Sequence, residues 1–247
     1  MAKEKSRFRL PILSTFNETF VLLSQSKIRL LKELFLPIST IIALGILNIQ
    51  LRTDETPVSE NATISIVLST LMFLVFTYFF ITCCRIALIP EPEKNPIGRT
   101  IKRLLLFMLW FLSINIVLIV LGFILSFPVA MVMNKTSIAM GSEMATYVMW
   151  LPTAYIGCRL LIVLPALAID IKSNIGQAWG QSRGNGWRLL FVFGVMPVLI
   201  NKLQRFIDGE NVTLIESSFA VIIMIVFMVI QFLLMAVTYR TLAKNYE

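Results

Sequence analysis

Long apolar runs, separated by short polar and basic connections, set the pattern of this chain. A helix needs about 20 mostly apolar residues to cross a bilayer. Five segments offer them, at 35–51, 64–88, 104–133, 147–169 and 219–238. Leu30 and Leu31 extend the first. A sixth run starts at Leu189, stays apolar to Ile200, then meets Asn201, Lys202 and Arg205. Carried to Phe206 it would be about 27 Å long at 1.5 Å per residue, with its two cations reaching toward the interface. The expected fold class is all-α. It is a polytopic membrane protein of about six transmembrane helices, with spans near 30–51, 64–88, 104–133, 140–169, 189–206 and 217–239.

The connections carry a pattern of their own. Within 12–31, Phe16, Phe20, Leu23 and Ile28 alternate with Asn17, Glu18, Ser24 and Gln25. That is the pattern of an amphipathic helix lying on a membrane. Residues 1–29 are therefore expected to form a basic N-terminus and an interfacial helix, and 30–247 the transmembrane domain. The stretch 170–188 is more polar. Its Ile175, Ala178 and Trp179 are expected to face lipid, and Gly184 and Gly186 to end the helix before the next span. The first 20 residues are basic but hold no uninterrupted apolar core and no small-residue cleavage site. The first span is thus expected to direct insertion.

Charge assigns the two sides. The chain is 57% hydrophobic and 15% charged, against about 25% charged in soluble domains. Its net charge is +8, and anionic headgroups, not nucleic acid, are the expected counter-charge. Sixteen of the 22 Lys and Arg fall before the first span, between the even and odd spans, or after the last. Four fall in the opposite loops: Arg52, Lys135, Lys202 and Arg205. By the positive-inside rule both termini are expected in the cytoplasm. Tyr147 and Trp150 then lie near the outer interface, and Trp179 and Trp187 near the inner one.

The spans also resemble one another. Arg-Leu-Leu precedes each odd span, at Arg29, Arg103 and Arg188. A lone arginine closes each even span, at Arg85, Arg159 and Arg240. The separations are 56, 56 and 52 residues. A fixed spacing of this kind predicts three parallel helical-hairpin repeats, each with an interfacial entry.

Several stretches together resemble the YciC-like bacterial inner-membrane proteins. They are the amphipathic entry, Leu164-Pro165-Ala166, the run from Gly176 to Ser182, Trp187-Arg188-Leu189-Leu190, and the closing Thr238-Tyr239-Arg240-Thr241-Leu242. Those proteins are similar to the membrane domain joined to some glycerophosphodiester phosphodiesterases. Gln177 and Gln181 depart from the family pattern. The resemblance implies a multi-pass protein of the bacterial inner membrane and brings no catalytic residues with it.

The chemistry available is narrow. There is no histidine, so the commonest metal ligand and the commonest acid–base group are both absent. Cys83, Cys84 and Cys158 lie in apolar runs and are read as small buried residues. Glu33 and Asp170 stand at span ends, and no acidic residue falls in the middle of a span. An enzyme is not expected, nor is a cofactor or metal. The expected function is an accessory subunit, scaffold or lipid-organising protein, acting through anionic phospholipids or through a membrane-protein partner or second copy. A small-solute or lipid transporter is the alternative. The candidate lipid or anion ligands are Arg29, Arg85, Arg103, Arg159, Arg188 and Arg240, which on the repeat register ring the cytoplasmic face. Simple topology anchoring is the other reading of the same six. Hydropathy alone puts Arg159 deep in the fourth span, whereas the register puts it at the interface.

Overall fold

The computed structural model describes residues 8–53, 58–89, 97–136, 142–207 and 214–246. Among them every regular element is a helix. Helix α1 (Ile12–Gln25) leads into the pair α2 (Lys27–Thr53) and α3 (Val58–Leu88). The pair α4 (Ile97–Thr136) and α5 (Ser142–Leu160) follows. Two short helices come next, α6 (Val163–Ala168) and α7 (Ile175–Gln181). The pair α8 (Gly186–Ile207) and α9 (Leu214–Lys244) ends the chain.

Five stretches are long and apolar enough to cross a membrane: Lys27–Leu47, Thr63–Leu88, Gly98–Phe127, Trp150–Ala168 and Val221–Lys244. The protein is an integral membrane protein built from apolar helices. The predicted fifth span, 189–206, falls on α8. That helix is continuous over 22 residues but is not among the five stretches.

Each helix pair packs as a hairpin, α2 on α3, α4 on α5, and α8 on α9. Helix α3 also packs on α9 and α4, and α8 on α5. These contacts close a bundle of α3, α9, α8, α5 and α4, with α2 on its flank. The core between α3, α4 and α9 is aromatic. Phe232 of α9 lies 4.7 Å from Phe80, 5.3 Å from Phe76 and 5.7 Å from Phe79, ring centre to ring centre. Phe107 of α4 joins Phe80 at 4.9 Å. Lipid tails are as apolar as these rings, so helix association rests on packing more than on release of water. Edge-to-face pairs of this kind add about 0.5–1.5 kcal/mol each beyond area burial. Cys83, Cys84 and Cys158 are buried, unbridged thiols within this interior, as the sequence suggests.

The structure corrects three expectations. The fourth span, predicted as one helix over 140–169, is two: α5 stops at Leu160 and α6 starts at Val163. The cause is Pro165, which has no N–H to give and whose ring crowds the carbonyl four residues back. That carbonyl, on Leu161, accepts instead from Leu164 N at 3.1 Å. Pro165 itself falls in the first turn of α6, where a missing N–H costs nothing.

The boundary at residue 29 is the second correction, because it lies inside α2. Only Ser26 separates α1 from α2, and backbone bonds from Ser26 N to Leu22 O and from Leu30 N to Ser26 O carry the chain through. Helix α1 packs on α9, and Thr15 and Thr19 are its buried residues. Their hydroxyls donate back to Pro11 O and Thr15 O, both at 2.8 Å, so neither buried hydroxyl is left unpaired, while Asn17, Glu18, Ser24 and Gln25 stay exposed. Phe16 and Leu23 pack against the core, while Leu13 and Phe20 stay exposed.

Third, Ala178 does not face lipid. It is fully buried under α7, whereas Ile175 and Trp179 remain on the surface. Trp150 and Trp187 are exposed as well; the Tyr147 side chain lies outside what the structure describes.

Candidate functional site

All six arginines gather at one end of the bundle, and each guanidinium ties two elements together. Arg29 donates to Glu33 on its own helix and to Ile89 O just past α3, at 2.8 and 3.0 Å. Arg85, in the last turn of α3, donates to Ala168 O at 3.3 Å, the last residue of α6. Arg188 donates to Leu10 O ahead of α1. Arg240 pairs with Glu18 on α1. Among these, Arg85, Arg103 and Arg159 are buried, Arg29 and Arg188 half-buried, and Arg240 exposed.

Arg103 and Asp170 make the most complete pair. Both Nε and Nη2 of Arg103 reach the carboxylate, one oxygen each, with Nε to Oδ1 at 2.8 Å. A fork matched to a carboxylate in this way is the strongest form of the contact. Asp170 stands at the end of α6 in the left-handed region, φ 61°. Ile171 N bonds Ala166 O and Asp170 N bonds Leu167 O, the paired bonds that close a helix at a position usually given to glycine. Aspartate adopts this backbone at some cost, and here its carboxylate meets Arg103. Hydrogen bonding by Arg103, opposed by partial burial, holds the Asp170 carboxyl below its ordinary value, with the charges of Arg103, Arg85 and Arg99 acting the same way.

Arg159 lies in the last turn of α5. Its Nε donates to Ser182 Oγ and its Nη2 to Trp179 O, each at 2.8 Å. The guanidinium also lies 3.4 Å from the centre of the Trp179 ring, a flat stack that an ammonium could not reproduce. The structure thus sets Arg159 at a helix end, against α7. It does not sit within an unbroken span.

The residues from Val163 to Gly186 are the common receiver. They take Arg85, Arg103 and Arg159, and they also hold the N-terminal stretch. Asn185 accepts from Leu10 N at 2.7 Å and donates to Phe8 O at 2.9 Å. Asn174 and Gln177 close the start of α7 with reciprocal bonds. Gly184, φ 81°, makes the turn to α8. Gly186 then admits the Tyr155 ring, since a Cβ there would lie 2.3 Å from Tyr155 Oη.

A cavity of about 450 Å³ opens beside this segment, between the ends of α3, α7 and α9. Lys172, Gln177, Gln181, Arg240 and Tyr246 line its polar side, and Leu88, Ile169 and Ile171 its apolar side. Gln181 Oε1 is buried and has no hydrogen-bond partner. Of the six predicted ligands only Arg240 reaches this cavity. Lys172 and Gln181 carried no sequence motif that marks them as a site, although Gln181 stood out as a departure from the family pattern.

Among the described residues no three His, Cys, Asp or Glu side chains cluster so as to hold a metal. Comparisons with protein-family models, with curated proteins and with solved structures found no match.

Proposed function

We propose that this chain is a non-enzymatic, multi-pass protein of the bacterial inner membrane that acts as an accessory subunit, scaffold or lipid-organising protein. The observation that carries this reading is how the polar groups are divided. The interior is packed with phenylalanine rings, while the six arginines gather at one end and are engaged in ties between elements. Such a body is a rigid membrane platform with one chemically distinctive face. The charge asymmetry of the connections supports that face as cytoplasmic, with α8 as a full sixth crossing. The resemblance to the YciC-like proteins supports the bacterial inner membrane. The long apolar face of α4, with Leu105, Leu109, Leu112 and Ile119 exposed, offers room for lipid chains or a partner helix.

Purification in mild detergent tests this. A stoichiometric membrane-protein partner, or tightly held lipid, is the expected outcome. A bare, lipid-free monomer that moves a solute across vesicles would overturn it.

Transport is the second reading, and one observation favours it. Gln231 Oε1 and Thr238 Oγ1 are buried on α9, seven residues apart on one helix face, and neither has a hydrogen-bond partner. Two unpaired acceptors in an apolar interior suit a passing polar group. Uptake into proteoliposomes that Gln231→Leu abolishes would support this reading.

A further inference from the structure

We propose that α4 carries a self-association seam whose occupant is the α4 helix of a second copy of this chain, joined through Asn115. This rests on the reading of the chain as a protein that works through a membrane partner, and it names that partner and the contact.

The Gly98–Phe127 stretch of α4 is the least covered of the five apolar stretches. Only 11% of it is buried, against 56% of Trp150–Ala168 and of Val221–Lys244. Most of what it shows to the outside is leucine, isoleucine and phenylalanine. Ser113 and Ser126 turn their hydroxyl protons into bonds to their own helix. Asn115 cannot satisfy itself in that way. It lies about 4 Å from the middle of the stretch at 1.5 Å per residue, where an unmatched polar group is costly and as a rule faces protein or water. Its Nδ2 donates to Phe111 O of its own helix at 2.8 Å, which is its one hydrogen bond among the described residues. A carboxamide has two N–H donors and an acceptor oxygen, so one N–H and Oδ1 are left over. The side chain is half-buried, and Oδ1 stays open to the surface. One donor and one acceptor on the same group are completed by an identical group turned round.

Symmetry allows that pairing. Two copies inserted the same way are related by a two-fold axis along the membrane normal, so each residue lies at the depth of its mate. The neighbours of Asn115 suit a helix at that axis. Met108, Leu112, Asn115, Ile119, Gly122 and Ser126 follow one another by 4, 3, 4, 3 and 4 residues, the 3.5-residue repeat of a left-handed helix pair. Each is exposed or half-buried. A single asparagine in such a seam sets register and oligomeric state. A Cβ added at Gly122 would meet nothing within 4 Å, so the backbone one heptad beyond the amide is open to close approach by another helix. At 100° per residue, Arg99 and Lys102 point about 160° and 140° away from Asn115, so two copies do not oppose like charges. A surface meant for lipid alone needs neither the amide nor the open glycine.

The test joins cysteine cross-linking of the full-length protein in membrane vesicles with energy transfer between terminally labelled copies in liposomes of rising lipid content. Ile119→Cys, on the seam, should give a disulfide dimer on mild oxidation. Val120→Cys, about 100° round the helix, should not. The native thiols are buried. Asn115→Leu should weaken association about tenfold, the ratio that a reciprocal pair of interhelical hydrogen bonds gives in a membrane. Asn115→Gln keeps the donor and the acceptor and should retain most of it. Gly122→Ile should weaken it at least as much, whereas Gly45→Ile, at an equally open glycine on α2, should not. Neither Asn115→Leu nor Gly122→Ile gives up a hydrogen bond to another helix, and the Ile119→Cys cross-link reads the seam in a chain that keeps both residues.

Equal cross-linking at 119 and 120 overturns the seam, as does association that survives Asn115→Leu. A cross-linked product with a different protein puts a foreign helix on α4: the second-copy assignment falls and the accessory role stands. With no cross-link, a partner or lipid held through mild purification removes the seam and leaves the broader function standing. A bare monomer without cross-link, partner or lipid ends both readings.

Discussion

Arg103, 3% exposed, is held by both carboxylate oxygens of Asp170, whose own side chain is 55% exposed. The buried cation on α4 thus gains its counter-charge from a residue at the turn after α6, 67 positions along the chain. Breaking a buried pair leaves a charge uncompensated, which costs about 3–5 kcal/mol when both partners are buried and much less when one is solvated. Asp170→Asn should therefore lower stability by about 1–3 kcal/mol. Asp170→Gly should recover part of that loss, because glycine adopts φ 61° without strain. Thermal unfolding in detergent distinguishes the two.

The same pair sets an acid limit. Asp170 is held below its ordinary value by Arg103. A carboxyl with a depressed folded value adds stability above its unfolded value and loses it as the pH falls through the folded one. Wild-type melting temperature should drop as the pH is lowered below about 4. In Asp170→Asn that component should be absent. An equal acid slope in both proteins would assign it to other carboxylates.

Arg159 holds α7 through three contacts that need a planar guanidinium. Arg159→Lys should lose most of what Arg159→Ala loses, on the order of 3 kcal/mol at about 1.5–3 per charged hydrogen bond. Release of α7 should also expose the peptide bonds after Lys172 and Arg183 to trypsin. Cleavage in vesicles opened from one side or the other then reports orientation. Protection from the cytoplasmic side would overturn the proposed topology.

Gly186 is closely covered by Tyr155. That ring also meets Trp187 at 5.2 Å, so it has little room to retreat. Gly186→Ala should cost about 1–3 kcal/mol as an overpacked site. Adding Tyr155→Leu should return part of the loss, and a double-mutant cycle in urea or by heat would read the coupling.

Phe232 and Phe127 separate packing from lipid contact. Phe232 touches three other rings, whereas Phe127 lies on the exposed face of α4. Phe232→Ala should destabilise by about 2 kcal/mol or more. Phe127→Ala should stay within about 0.5 kcal/mol. Comparable losses would mean that the α4 face is covered by protein.

The membrane helices were legible because a spanning helix must be long and apolar over its whole length, and the runs ending at Leu88 and near Thr238 leave little alternative. The break at Leu161 was harder to see. Hydropathy reads straight through Val163–Ala168, and only Pro165 marks the interruption, in a chain where Pro37, Pro152 and Pro197 lie inside unbroken helices. The arginines were conspicuous by position, yet their partners were not. Asp170, Ser182 and the backbone carbonyls of Ala168 and Leu10 are far from them in sequence, and nothing local marks a residue as a distant acceptor. Ala178 was placed on the wrong face because a seven-residue helix has too few positions to define a periodicity.

The N-terminal stretch closes on Asn185, and Glu18 closes on Arg240, 222 positions later. A ribosome adds about 5–20 residues per second. The first helix must therefore wait about 10–45 s after its own synthesis before its last partner exists. During that interval Phe8, Leu10 and the Thr15–Thr19 face have nothing to dock on. Insertion of this protein is thus a process with a long open phase, in which an early segment lies waiting at the membrane for the end of its own chain.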